Sequence, residues 1–151
     1  MLGNIFGFEN NLVEKSPMMK MSFYWSQQMF LFVLRVWIFK VFFFSGWLKV
    51  TSWETTLMLF EYEYSVPIIP LEVAAYLATS IEMLFPVLLL LGLFPRFSVL
   101  ALFFLNIIAA ISYTDISAAG MQQHILWSVI MIILLLYGSG RLSLELFAKK
   151  G

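Results

Sequence analysis

An all-α integral membrane bundle, four helices in up-down-up-down order, is the fold class the sequence predicts, and three observations predict it. Hydrophobic residues make up 62% of the 151-residue chain and charged residues only 12%, against roughly 45–50% and about 25% in ordinary soluble domains. Four apolar runs, residues 27–50, 71–94, 96–113 and 118–137, are each long enough to cross a hydrocarbon core of roughly 30 Å as a helix. The helix-breaking residues fall mostly between those runs. Such a chain is one membrane domain of residues 27–138, with a lipid bilayer as its first partner.

Each element has its own signal. The arm of residues 1–26 lacks a basic segment leading into a continuous apolar core, and Glu9 and Glu14 stand where a cleaved signal needs positive charge. It reads as cytoplasmic or interfacial, with Phe23, Tyr24 and Trp25 at the headgroup level. The MMKM run at Met18 to Met21 reads as flexible apolar contact. After the first span, the loop TSWETTLMLFEYEYSVPIIP mixes aromatics with acids and suits a short surface helix. Pro67 and Pro70 precede the second span, Pro86 lies inside it as a kink candidate, and Pro95 separates it from the third. The third connection is short, which makes spans three and four antiparallel neighbours. The fourth run is strongly apolar only from Ile125, so Gln122, Gln123 and His124 belong near an interface. A turn at Gly138 to Gly140 closes it, leaving 139–151 as a cytoplasmic tail.

Charge asymmetry sets the orientation. Lys15, Lys20, Arg96, Arg141, Lys149 and Lys150 lie on one side of the spans, whereas Glu54, Glu61, Glu63 and Asp115 lie on the other with only Lys49. The positive-inside rule then places both termini in the cytoplasm. A formal net charge of zero offers no basic surface for nucleic acid, and the absence of cysteine removes disulfides, thiol chemistry and cysteine-held iron–sulfur clusters. His124 is the only histidine, so one chain cannot build a two-histidine haem or a multi-histidine metal site. Haem is disfavoured, and no metal site is expected.

Charges inside the spans are the candidates for function. Ionisable groups at a helix centre cost roughly 2.5–3.5 kcal/mol each on insertion scales, so Arg35, Lys40 and Glu82 should face one another and not lipid. At about 100° per residue, Arg35, Gly46 and Lys49 share one face and Lys40 points about 140° away from Arg35. Facing that stripe to the second span predicts two stacked pairs, Arg35 with Glu82 and Lys49 with Glu72. Lys40 is left to snorkel, pair elsewhere or sit beside a cofactor. Arg96, after the second span, completes the candidate polar cluster. Asn106 and Tyr113 lie seven apart on span three, and His124, Trp127 and Ser128 share a face of span four. These form a candidate pocket, or else pair across the helices. Both readings of the charges stand at this stage: a lock on helix packing, or a working network.

The residues so quoted resemble the DoxX family of small four-helix bacterial membrane proteins. RVWIFKVFFFSGWLK, from Arg35 to Lys49, is similar to the family's arginine-opened first span ending in glycine and lysine, although Phe39 replaces a frequent glycine and Lys40 departs from the pattern. EMLFPVLLLLGLFPR, from Glu82 to Arg96, is similar to its glutamate, leucine run and arginine after a short turn. GSGRLSLE, from Gly138 to Glu145, is similar to its GPGRxSLD. The stretch from Pro67 to Glu82, with HILW at His124 to Trp127, resembles a subgroup found beside metal-stress peptide genes. The resemblance implies a bacterial inner-membrane location and a link to the small subunit of a thiosulfate:quinone oxidoreductase.

Three functional readings follow. The first is an accessory or scaffold subunit of a membrane redox or stress-response complex, whose polar cluster stabilises a bundle that docks partner proteins or lipid. The second is a quinone-binding oxidoreductase subunit, with Arg35 or Lys40 near a carbonyl, Glu82 carrying protons and Trp37, Trp47 and Trp127 along the ring. A small-solute transporter is the third, disfavoured because four spans leave little lumen without a homo-oligomer.

Overall fold

The computed structural model describes residues 17–64, 69–138, 140 and 143. The arm before residue 17, Pro67, and the tail residues Arg141, Glu145, Lys149 and Lys150 lie outside them. Among the described residues there are five helices: α1 (Pro17–Thr51), α2 (Trp53–Tyr62), α3 (Leu71–Leu91), α4 (Pro95–Ser112) and α5 (Ala118–Tyr137). All but α2 are long and apolar enough to cross a membrane. The expected all-α four-helix bundle is what the chain forms.

Helix α1 runs 35 residues, or about 52 Å, and begins ten residues before the apolar run. Its length follows from the sequence: no glycine or proline occurs from Met18 to Ser45, and Pro17 sits at the first helical position, where its missing N–H costs nothing. The chain then breaks only at Ser52. The Thr56 hydroxyl donates to the carbonyls of Lys49 and Ser52, each at 3.1 Å, and ties α2 to the end of α1. Phe60 of α2 packs on Ala74 and Ala75 of α3. Beyond α2, the Glu63 carbonyl accepts from the Thr114 amide at 3.1 Å and from its hydroxyl at 3.0 Å, and an isolated bridge joins Tyr64 to Tyr113. The expected surface helix is therefore folded back over the bundle and pinned to the turn between α4 and α5.

Helix α3 stops at Leu91, not at residue 94, because Gly92 takes a left-handed φ of 70° and the Leu93 amide turns back to the Leu88 carbonyl at 2.8 Å. Apolarity alone did not distinguish this turn from the helix before it. Pro95 then opens α4 at its first turn, and the Ser117 hydroxyl caps α5 by accepting from the Gly120 amide at 3.1 Å.

The four long helices close a ring in which α1 packs on α3, α3 on α4, α4 on α5 and α5 on α1. The tight core lies toward the end where α1 begins: Leu31, Ile38, Leu89, Val99, Leu102, Met131 and Leu134 are buried there. Leucine, isoleucine and phenylalanine remain exposed around the outside, as lipid-facing surfaces require.

Candidate functional site

Toward the other end of the bundle the interior is polar. Lys49, in the last turn of α1, places Nζ 2.6 Å from Glu82 Oε2 of α3, and the two side chains are only 14% and 10% exposed. One turn earlier, Ser45 Oγ accepts from Lys49 Nζ at 2.9 Å and donates to Glu82 Oε1 at 3.4 Å. Gly46 sets the register. A Cβ added there would lie 2.9 Å from Glu82 Cβ and 3.2 Å from Met83 Cγ, so only glycine lets these two helices approach so closely. Pro86, one turn beyond Glu82, removes the amide that would bond the Glu82 carbonyl.

This arrangement differs from the two expected pairs. Glu82 takes Lys49 in place of Arg35, and Glu72 is exposed at the head of α3. The helices are displaced by about two to three turns from the expected register. The first turns of α3 pack on α2 and so extend past the end of α1, a constraint invisible when the loop is read as a simple connection. Arg35 is fully buried about 21 Å from Lys49 along the same helix face. Its Nη1 donates to the Leu90 carbonyl at 3.3 Å, and its guanidinium lies over the Phe32 ring, 5.3 Å from the centroid. Gly92 lies against that Nη1 and against Ser143 of the tail. The three quoted motifs thus meet around Arg35, at the opposite end from Glu82. Arg96 and Lys40 are exposed, and Trp37 and Trp47 face outward.

Two cavities meet at the Lys49–Glu82 pair. One, of about 170 Å³, lies among α2, α3 and α4, where Phe60, Leu77, Ile81 and Ile108 give it an apolar wall. The second, of about 190 Å³, lies among α1, α4 and α5 and is lined by Ser45, Asn106, His124 and Trp127. Lys49, Glu82, Tyr64, Leu105 and Ala109 border both. Between α1 and α3 themselves there is no room. The hollow lies on the far side of Glu82.

The polar wall opposite is fixed by its own hydrogen bonds. Asn106 Nδ2 donates to the His124 carbonyl and to Ser128 Oγ, each at 2.9 Å, and Ser128 Oγ donates to the same carbonyl at 2.9 Å. A carbonyl can only accept, so the amide nitrogen must face it and Oδ1 must face His124 Nδ1, 2.7 Å away. His124 therefore carries a proton on Nδ1, and in its neutral form the ring presents Nε2 as an acceptor. Trp127 stands edge-on to His124 at 5.0 Å between centroids and to Phe42 at 6.0 Å. Among the described residues, Lys49 directs two of its three ammonium hydrogens to Glu82 and Ser45.

Tyr64 roofs both cavities. It packs on Phe60 at 4.8 Å and Tyr113 at 5.3 Å between centroids. Burial first, then the charges of Glu82 and Glu63 and the neighbouring Tyr113, push its hydroxyl up from 10.0 to about 12. The Tyr113 hydroxyl is also pushed up, chiefly by donating to Glu63. Of the expected pocket residues, Asn106, His124 and Trp127 come together, while Tyr113 supports the roof. Ser45 and Tyr64 escaped sequence reading. Ser45 could have been found one turn before Lys49 on the same face; Tyr64 depends on how the loop folds back.

The family model described as DoxX matches residues 30–115, which is more than half of the chain and runs from α1 to the turn after α4. The chain belongs to the DoxX family. Within this DoxX chain the match takes in Lys49, Glu82 and Asn106 but stops short of His124 and Trp127, so half of the polar wall lies beyond it. A protein of Haemophilus influenzae, described as an uncharacterized protein, is 33% identical over 88 residues. The match covers 55% of this chain and 58% of that relative, so the chain spans little more than half the length of the curated relative it matches. No solved structure matches.

Proposed function

We propose that this DoxX-family chain is a bacterial inner-membrane subunit that holds a lipid-soluble, carbonyl-bearing ring of the quinone class in the hollow beside Lys49 and Glu82. One observation carries the reading: the two cavities share the ion pair as a common wall, and the more apolar one is bordered by Leu77 and Ile108, which also face the lipid. An amphipathic ring entering from the bilayer between α3 and α4 would meet, in order, an apolar passage and then a few fixed polar groups, the usual make-up of a small-molecule site.

Each group has a role in that reading. The spare N–H of Lys49 donates to a carbonyl oxygen. His124, held by Asn106, offers Nε2 to the hydrogen of a reduced ring's hydroxyl, and Trp127 supplies an apolar edge. Glu82 keeps Lys49 charged and aimed. Reducing a quinone takes two electrons and two protons, and the electrons would come from the redox centre of a partner protein; this chain contributes binding and proton-handling groups. With both termini cytoplasmic, the hollow opens in the outer half of the membrane.

The test is to purify the full chain in mild detergent, analyse copurifying lipids by mass spectrometry, and follow melting with a short-chain quinone. A ligand at about 100 times its Kd stabilises by about 2.7 kcal/mol. Ala109 borders both cavities, so Ala109→Phe fills the hollow and leaves Lys49, Glu82 and His124 in place. The expected result is a quinone-induced rise in melting temperature that Ala109→Phe removes. A rise equal in the two proteins, or none in either, would leave the accessory scaffold as the better account. In that case the ion pair serves only to fix α1 on α3.

A further inference from the structure

Within the apolar run of α1, Lys40 is the one base that neither the Lys49–Glu82 site nor the Arg35 end uses. It is exposed on the outer face of α1, between Trp37 and Phe44, which are 52% and 59% exposed. With Val41 these residues border a surface groove of about 280 Å³. Among the described residues nothing pairs with it.

Its depth makes this expensive. Phe42 packs on Trp127, the tenth of the 20 residues of α5, so Lys40 lies about 3 Å from the midpoint of that membrane span. Measured against α3, the Gly46–Glu82 contact sets Lys40 level with Leu88, about 5 Å inside the end of that span at Leu91, so on either helix it lies within the hydrocarbon core. A lysine exposed to hydrocarbon is a costly placement for a membrane protein. Aromatic shoulders on either side of a cation make a shape that a neighbouring helix can fill.

A second copy of this chain cannot supply the missing charge. Among the described residues the spans hold two carboxylates, Glu82, which is buried against Lys49, and Glu72, at the head of α3. The antiparallel register set by Gly46 and Glu82 puts Glu72 about 24 Å from the level of Lys40. Glu54, Glu61, Glu63 and Asp115 lie in α2 and the turns, near that same end. We infer that the Trp37–Lys40–Phe44 face of α1 docks a transmembrane helix of another protein that carries an aspartate or glutamate near its midpoint. Charge complementarity selects this partner, and the groove seats it.

The test uses the full chain in phosphatidylcholine vesicles, with a donor dye on a single cysteine introduced by Thr55→Cys, since the natural chain has none. The probe is a dye-labelled polyleucine transmembrane peptide bearing one central aspartate, compared with the same peptide bearing leucine there. Energy transfer is expected to report about tenfold tighter association with the aspartate peptide, an interhelical polar contact of the usual size. Lys40→Leu should erase that preference, and Lys40→Asp should restore it toward a peptide with a central lysine. Because the Lys40 side chain is exposed on the outside of the bundle, both variants should melt as the wild type does. Equal association of the two peptides would overturn the inference. So would a preference that survives in Lys40→Leu, or one abolished by adding phosphatidylglycerol, which would give the face to an anionic lipid. Transfer between two copies of the chain that depends on Lys40 would likewise assign the face to self-association.

Discussion

The two ends of the bundle solve the problem of a buried base in opposite ways. Arg35 is enclosed by a tight core, its guanidinium set against a backbone carbonyl and an aromatic face, with Gly92 and Ser143 closing over it. Lys49 has a carboxylate partner, yet stands at the junction of two cavities under the roof of Tyr64. The same helix face thus carries one cation enclosed in the core and another bordered by two cavities. The two cations differ in what surrounds them, a tight core at Arg35 and two cavities at Lys49.

That contrast can be broken most severely at Gly46. Gly46→Leu would drive a side chain into the backbone-proximal atoms of Glu82 and Met83, and the expected outcome is loss of monodisperse protein on size exclusion. Gly46→Ala should cost about 1–3 kcal/mol, the usual range for overpacking, read from the melting temperature in detergent. Next come the single removals of charge. Glu82→Leu or Lys49→Leu leaves the other member buried and unpaired and should cost about 3–5 kcal/mol, whereas the double variant Lys49→Met, Glu82→Leu should recover most of it. Single and double variants equally unstable would mean that the cost lies in packing and not in charge.

A smaller effect sharpens the difference in packing between the ends. Leu102 is fully buried in the tight core, and Leu105, one turn on, borders both cavities. Leu102→Ala should cost about 2–5 kcal/mol and Leu105→Ala about 1 kcal/mol or less, since a residue beside empty space makes fewer contacts to lose. Equal costs would show that the hollow collapses in the membrane.

The smallest effect concerns the roof. The fold holds the Tyr64 hydroxyl neutral up to about pH 12 against an ordinary value of 10.0. The stability it contributes is therefore complete below pH 10 and lost as pH rises toward 12. Tyr64→Phe should flatten melting temperature against pH across that window, and ultraviolet titration should lose one late-ionising tyrosine. An unchanged profile would put Tyr64 in contact with water.

Much of this was legible in the residues. Four apolar runs and well-placed prolines defined the bundle, because in lipid every backbone polar group must be satisfied within a helix and length alone identifies the spans. The 140° between Arg35 and Lys40 separated an inward base from an outward one, and Asn106, His124 and Trp127 marked the polar wall. What could not be read was the register of α1 on α3. It depends on α2 folding back to pack Phe60 on Ala74 and Ala75, a tertiary event with no local signature, and it changed the partner of Glu82. The cavities were equally hidden, since a void is a property of how side chains fail to meet.

The pairing of Lys49 with Glu82 also dictates an order of events during synthesis. The partners are 33 residues apart in the chain, and α1 enters the membrane first, carrying Arg35, Lys40 and Lys49 at roughly 2.5–3.5 kcal/mol apiece on insertion scales when near its centre. At about 5–20 residues per second, some two to seven seconds pass before the carboxylate exists. Release of α1 into free lipid is thus expected to wait for α3. Ribosome-bound chains halted before and after Glu82 should differ in how readily a lipid-borne photo-crosslinker reaches the first helix, and no difference would show that α1 enters lipid unaided.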